Sequence, residues 1–420
     1  MKYRSILLLF LNIAAISSFA QTTRTDVVVV GNTAGGLAAA IQSSRSGVKT
    51  ILISSSSQLN PFLTVQDIDY LNKIQNYFSK KSNSKSVLKD SLISKNISIS
   101  ESAKLIKSIT DTVKNLTVLL NSDFRKIEKK GKGWEIKLMN GKTIKTDVLV
   151  DASPDFKVAA LLKINPDQTI LSLKANSDEN HVLRNVYRSS IGYAESTTGS
   201  DKDSNYLIPL ASLLPSGVEN FLIVPKGKSD FSLIAMSVGQ AAGASAAFCA
   251  FYKTTTKNLN VRIIQGELLG YDSRMVPFID IDFKDRHGMA FQRIALSGLL
   301  KLNTSKSGTA EKFMYDTLGT VSAAEIRLAM KQFYSRSQIW FADNKKDTLK
   351  IEDVIKMMMF SVARGEELRR EIETGWKESF QFNTKFDPKR AINRREFTVL
   401  ADRYLQPFNI RVDLSGNLLN

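Results

Sequence analysis

The sequence predicts an α/β fold: a parallel sheet carrying a β-meander, followed by an α-helical C-terminal third. Three observations predict it. A strand, glycine turn, helix and second strand occupy Asp26 to Ser54; a compact all-β passage runs from Asp123 to Asp151; and from Tyr271 onward apolar residues recur at helical spacing.

The first 20 residues read as a secretory signal. Lys2 and Arg4 give a basic start, Ile6–Ile16 an apolar core, and Ser18-Phe19-Ala20 a small-x-small cleavage site before Gln21. The apolar run is short for a membrane span. The expectation is an exported chain, periplasmic or extracellular, with no integral membrane segment after cleavage.

Asp26–Val30 is apolar and β-branched, which suits a parallel strand buried on both faces. Gly31, Gly35 and Gly36 interrupt it, Leu37–Ser44 has the Ala-rich pattern of a helix packed closely on a sheet, and Val48–Ile53 is strand again. A glycine turn at a helix start lets a pyrophosphate approach unpaired backbone N–H groups and the positive end of the helix dipole. The dinucleotide fingerprint G-x-G-x-x-G lands here on Gly31, Thr33 and Gly36, with threonine in the middle place. Where an acid would hold a ribose stands Ser54, an uncharged hydrogen-bonding side chain. The structural alternative is a βαβ unit whose glycines only permit close helix–strand packing.

Residues 58–110 are polar and Ser/Lys-rich, with helical stretches expected at Gln66–Phe78 and Ser100–Val113; Asn115–Asn121 returns to strand. Phe124–Lys129 and Trp134–Met139 flank a Lys-Gly-Lys-Gly turn, and Asn140-Gly141 predicts a type I′ hairpin. Asp147–Val150 then forms a buried strand ending in Asp151-Ala152-Ser153-Pro154-Asp155. Further on come Ile208-Pro209-Leu210, Leu214-Pro215-Ser216-Gly217-Val218-Glu219-Asn220, and the small-residue segment Gly239-Gln240-Ala241-Ala242-Gly243. That segment reads either as a helix start whose amides meet a flavin or as a tightly packed core helix.

Together these motifs resemble the FAD-dependent oxidoreductase family common among exported bacterial proteins, which opens with G-x-T-x-(A/G)-G and carries D-A-T-G-D and G-Q-A-A-G-x-A-A. The resemblance implies an FAD-binding Rossmann-like parallel sheet with a β-meander, a reduced substrate insert and an α-helical C-terminal domain. The expected boundaries are 21–270 for the FAD-binding-type domain, with the insert at 155–205, and 271–420 for the helices. It implies FAD as cofactor and hydride transfer through the flavin, with no particular substrate. Pattern and resemblance place the cofactor on Gly31, Thr33, Ala34, Gly35, Gly36, Ser54, Ala152, Ser153, Gly239, Gln240, Ala241, Ala242 and Gly243. Asp155 and Lys226 fall near the expected flavin edge, where a solvated charge is the other reading, and no catalytic residue is identified. Pro154 stands where the family has glycine, and Val224-Pro225-Lys226-Gly227 where it has A-G-R. These departures motivate an alternative: a non-catalytic binding or scaffold module for glycan or envelope.

Met289–Leu300, Ser322–Tyr334, Ile351–Val362 and Arg394–Leu405 read as amphipathic helices. They resemble the tail of the same family, related to S-layer-homology repeats, with Asn393 as N-cap and Glu396 as its capping-box partner. A helical bundle packed on the sheet domain is the structural alternative to a glycan-binding tail.

Composition bounds the rest. One cysteine, Cys249, excludes an internal disulfide and reads as a small buried hydrophobe; two histidines, His181 and His287, exclude a histidine-rich metal centre. Asp343–Asp347 lacks the sharp-turn glycine of a calcium loop and has lysine at a ligand place, so no metal is expected. The net charge is +17 without an arginine-rich arm, so no nucleic-acid partner is expected. An acidic glycan or envelope surface suits that charge, as does simple solvation.

Overall fold

The computed structural model describes residues 22–59, 71, 99–165, 173–174, 180–196, 202–225, 231–233, 235–282, 284–307 and 310–419. It is a mixed α/β structure with a parallel-rich sheet and a helical C-terminal region. The helix expected at 66–78 lies, apart from Leu71, outside the described residues, as does the N-terminal segment.

The βαβ unit is β1 (Thr22–Val30), α1 (Ala34–Arg45) and β2 (Thr50–Ile53), followed by α2 (Ile99–Thr112) and β3 (Leu116–Leu119). The meander is β4 (Phe124–Lys130), β5 (Gly133–Leu138) and β6 (Thr143–Asp151). Strand order is β3-β2-β1-β6-β5-β4. β1 runs parallel to both neighbours, with Val30 opposite Ile53 on one side and Asp151 on the other. Side chains alternate along it: Val27 and Val29 join the core under α1, while Val28 and Val30 pack with Trp134, Ile136 and Ile144 of the meander. Burial on both faces explains why these strands are runs of valine, leucine and isoleucine.

After α3 (Lys157–Leu161) come β7 (Leu173–Lys174), α4 (Asn180–Ser189), β8 (Ser190–Ser196) and β9 (Asn205–Pro209). Next are β10 (Phe221–Ile223), β11 (Phe231–Leu233) and α5 (Ala235–Phe251). β6 changes partner midway: Thr143–Thr146 pairs with β5, and Leu149–Asp151 pairs parallel with β10. Asn220, at φ 58, turns the chain into β10, and its carbonyl accepts from Trp134 Nε1 at 2.7 Å. β7, β8, β9 and β11 form a separate antiparallel sheet.

The stretch expected to be a short polar insert is not peripheral. Arg184, Arg188, Tyr187 and Ile191 are all buried. Its arginines look like surface residues in sequence but donate to buried carbonyls, Arg188 Nε to Ser297 O at 3.1 Å among them. The Asn140-Gly141 hairpin also differs from type I′. Only Gly141 has positive φ, +84, and its amide donates to Leu138 O, so the loop is a type I turn closed by a left-handed glycine.

The C-terminal third begins with α6 (Val261–Gly270) and α7 (Gly288–Ser297), then an unforeseen hairpin, β12 (Asn303–Ser307) and β13 (Ala310–Met314). α8 (Ala323–Phe333), α9 (Ser337–Asp343), α10 (Ile351–Val362), α11 (Glu366–Glu378) and α12 (Arg394–Leu400) follow. The entries to α8, α10 and α12 pair with one another, through Thr320–Asn393, Ser322–Thr348 and Lys350–Ala391. Asn393 and Glu396 form the expected capping box. One continuous core runs from Val27 in β1 through α1, α5 and α7 to Phe397 in α12.

Candidate functional site

The site lies where β1, β2, β6 and β10 end side by side. In open parallel sheets the ligand crevice lies beyond these carboxyl ends. Gly31 leaves β1 at φ +131, and a Cβ there would stand 2.3 Å from Ala152 O, so only glycine fits. Gly36 is less tightly constrained: its Cβ would lie 3.0 Å from Gly31 O and 3.1 Å from Ala152 Cβ, a close fit without a positive φ. The first glycine therefore makes the turn, and the last lets α1 close on β6.

Thr33 is the N-cap of α1, and its Oγ1 accepts from Gly36 N at 3.0 Å while donating to Ala152 O at 2.8 Å. Among the described residues the amides of Ala34 and Gly35 have no hydrogen-bond acceptor. The first turn of α1 holds no acidic side chain to offset the positive end of its dipole. Asn32 Nδ2 ties the rim of the turn to Gln58 O at 3.2 Å.

Opposite the turn, Asp151 is completely buried. Its Oδ1 accepts from Ser153 N at 3.0 Å and Ser153 Oγ at 2.6 Å, and its Oδ2 from Ala159 N at 2.9 Å. Burial pushes its pKa above the usual carboxylate value, and these hydrogen bonds pull the other way. Ser153 is thereby an anchor of the strand end.

Gly31, Thr33, Ala34, Gly35, Gly36 and Ala152 converge on one turn, with Ser153 behind it. Ser54 ends β2 beside them, yet it is 2% exposed and its Oγ accepts from Ser56 N at 3.1 Å. It faces the chain, while Ser55, Ser56 and Ser57 are exposed at that edge.

The segment Gly239–Gly243 is not a helix start. α5 begins at Ala235, so these amides lie within the helix. Cβ atoms on Gly239 and Gly243 would stand 2.0 Å from Gly35 O and 2.3 Å from Ala39 O: the glycines let α5 lie directly on α1. Ala241 and Ala242 are fully buried, and Gln240 Nε2 donates to Gln42 Oε1 at 3.1 Å. The packing reading of this segment is the one observed, because small residues repeat on the face turned to α1. Asp155 is exposed, and Lys226 lies outside the described residues.

Two contacts were not legible in sequence. Asp151 opens the motif that the resemblance rests on, but its part in fixing the β6 terminus shows only in the fold. The Ala152 carbonyl receives Thr33, and a backbone acceptor leaves no mark in sequence.

The residues present fit the pyrophosphate of a dinucleotide. The turn carries no side chain at Gly31 or Gly36, the Ala34 and Gly35 amides have no acceptor among the described residues, and the first turn of α1 holds no acid. Among solved structures, the chain is similar to L-proline dehydrogenase from P. horikoshii, at 15% identity over 31% of this chain and 23% of that one, TM-score 0.21. It is also similar to T. acidophilum thioredoxin reductase, at 20% identity over 31% and 35%, TM-score 0.21. A third is the flavin-dependent monooxygenase PieE in complex with FAD and substrate, at 15% identity over 41% and 34%, TM-score 0.27. The chain thus spans about a third or less of these proteins' lengths. No curated protein matches it. Residues 26–165, which hold the turn, the meander and the β6 terminus, match the model of the family described as FAD dependent oxidoreductase.

Proposed function

We propose that the protein is an FAD-dependent oxidoreductase, exported by its N-terminal segment. One observation carries the reading: a turn bare of side chains at Gly31 and Gly36 and capped by Thr33 presents amides with no acceptor among the described residues at the carboxyl ends of β1 and β6, inside the region matching the FAD-dependent family. The backbone of Ala34 and Gly35 would hold the pyrophosphate, and Gly31 and Gly36 would let it approach. Bound FAD supplies hydride transfer between a substrate and an acceptor. The protein's part is to hold and orient it.

The test is reconstitution of the secreted form with FAD, gel filtration and an absorbance spectrum. Near-stoichiometric flavin bands are expected. A colourless protein that melts cooperatively and ignores added FAD overturns the reading. Export predicts that protein recovered outside the cytoplasm begins at Gln21.

A second reading is a non-catalytic module on acidic glycan or an anionic envelope. Arg125, Lys126, Lys130, Lys132, Lys142 and Lys145 are exposed on the meander and outnumber the acids near them, Asp123, Glu128, Glu135 and Asp147, which favours it. It predicts retention on immobilised acidic polysaccharide that fades as salt shortens the screening length. Equal retention at low and high salt counts against it.

A further inference from the structure

We propose that Thr33 is a positioning residue: its hydroxyl clasps the start of α1 to the end of β6, so that the cradle is preset before the cofactor arrives. The inference rests on the FAD reading above and deepens it. A threonine hydroxyl has one proton to donate. Here that proton goes to Ala152 O at 2.8 Å, while the oxygen accepts from Gly36 N at 3.0 Å. No proton is left for a phosphate oxygen. The donors facing a pyrophosphate are then backbone amides, and Thr33 acts through them.

The surrounding geometry makes the clasp matter. Ala152 meets both glycines, its carbonyl at Gly31 and its Cβ at Gly36. The Thr33 backbone is extended, at φ −105 and ψ 162, which any side chain adopts and which does not require the glycine of the usual fingerprint. Putting glycine here therefore removes two hydrogen bonds and frees the backbone, with no strain relieved in return. The chain differs from the fingerprint because its turn is held by a side chain.

The experiment compares the wild-type chain with T33S, T33V and T33G, titrated with FAD and separately with ADP at a temperature where all four are folded. T33S keeps both bonds, and its affinities are expected within about threefold of wild type. T33V and T33G lose the clasp, and both ligands are expected to bind on the order of tenfold more weakly. Loss of stability alone would lower the melting temperature and leave these affinities unchanged. T33G binding FAD as tightly as wild type overturns the proposal, as does T33S weakened as much as T33V. Wild type failing to bind either ligand overturns the FAD reading instead. The clasp is then read in cofactor-free protein: faster amide exchange at Gly36 in T33V and T33G, but not T33S, supports it, and equal exchange in all four sinks it.

Discussion

At the scale of single residues, the site is governed by where a Cβ cannot go. Gly31→Ala meets both a positive φ and a carbonyl 2.3 Å away, whereas Gly131, at φ +59, has nothing within 4 Å. Gly31→Ala should cost about 3 kcal/mol or more and abolish FAD binding, while Gly131→Ala should cost about 1 kcal/mol and leave binding intact. Denaturant midpoints and flavin titration of both variants check this, and equal losses would refute it. Asp151 gives a second residue-scale prediction. Burial raises its folded-state pKa, so the folded chain holds this proton more tightly than the unfolded chain. Its contribution is fully present below the ordinary carboxylate value of about 4 and is lost as pH rises through the folded value. The stability of wild type minus that of Asp151→Asn should therefore fall from about pH 4 upward. A difference that grows with pH contradicts the assignment.

At the scale of elements, helix ends decide where the buried charges sit. Arg262 Nη1 donates to Leu296 O at 3.1 Å in the last turn of α7 and to Arg188 O at 3.4 Å in the last turn of α4; its Nε donates to Ile410 O at 3.1 Å. Burial, then the nearby Arg188, pushes its pKa down to about 9; its partners are carbonyls at the negative ends of two helices. Arg262→Met should cost about 3 kcal/mol, because it strands the carbonyls of Leu296 and Ile410, while Arg188 O keeps its bond from Gln265 Nε2. Asn393→Ala, at one half-buried cap, should cost about 1 kcal/mol. Chemical denaturation ranks the two, and the reverse order would reject this account. The Asn393 cap was legible because Asn-x-x-Glu before an apolar run is a local signal. The arginines of α4 were not, because the backbone carbonyls they reach, Glu325 O and Ser297 O, are more than 100 positions away.

At the scale of the molecule, the boundary expected at residue 270 does not separate two cores. The buried cluster that begins at Val27 continues through Leu268, Phe291, Ile326 and Phe397. One cooperative transition is expected, with Trp134 of the meander and Trp340 and Trp376 of the helical region reporting the same midpoint as far-UV circular dichroism. Two separated transitions would show that the helices fold alone. The change of composition at Tyr271 marks a change of element type, and it carries no information about which faces meet.

By itself the sequence determined the βαβ unit, the meander, the turn at Gly31–Gly36 and the capped helices of the tail. Each rests on local physics: side-chain periodicity, glycine's access to positive φ, and short-range capping. Only the tertiary structure decided what the remaining motifs face. Gly239 and Gly243 lie against Gly35 and Ala39 on α1, Ser54 turns inward to Ser56, and the Thr33 hydroxyl reaches Ala152 across 119 positions. Glycines shaped for a ligand and glycines shaped for a neighbouring helix look the same in sequence, because both are answers to a close approach, and only the fold says what approaches.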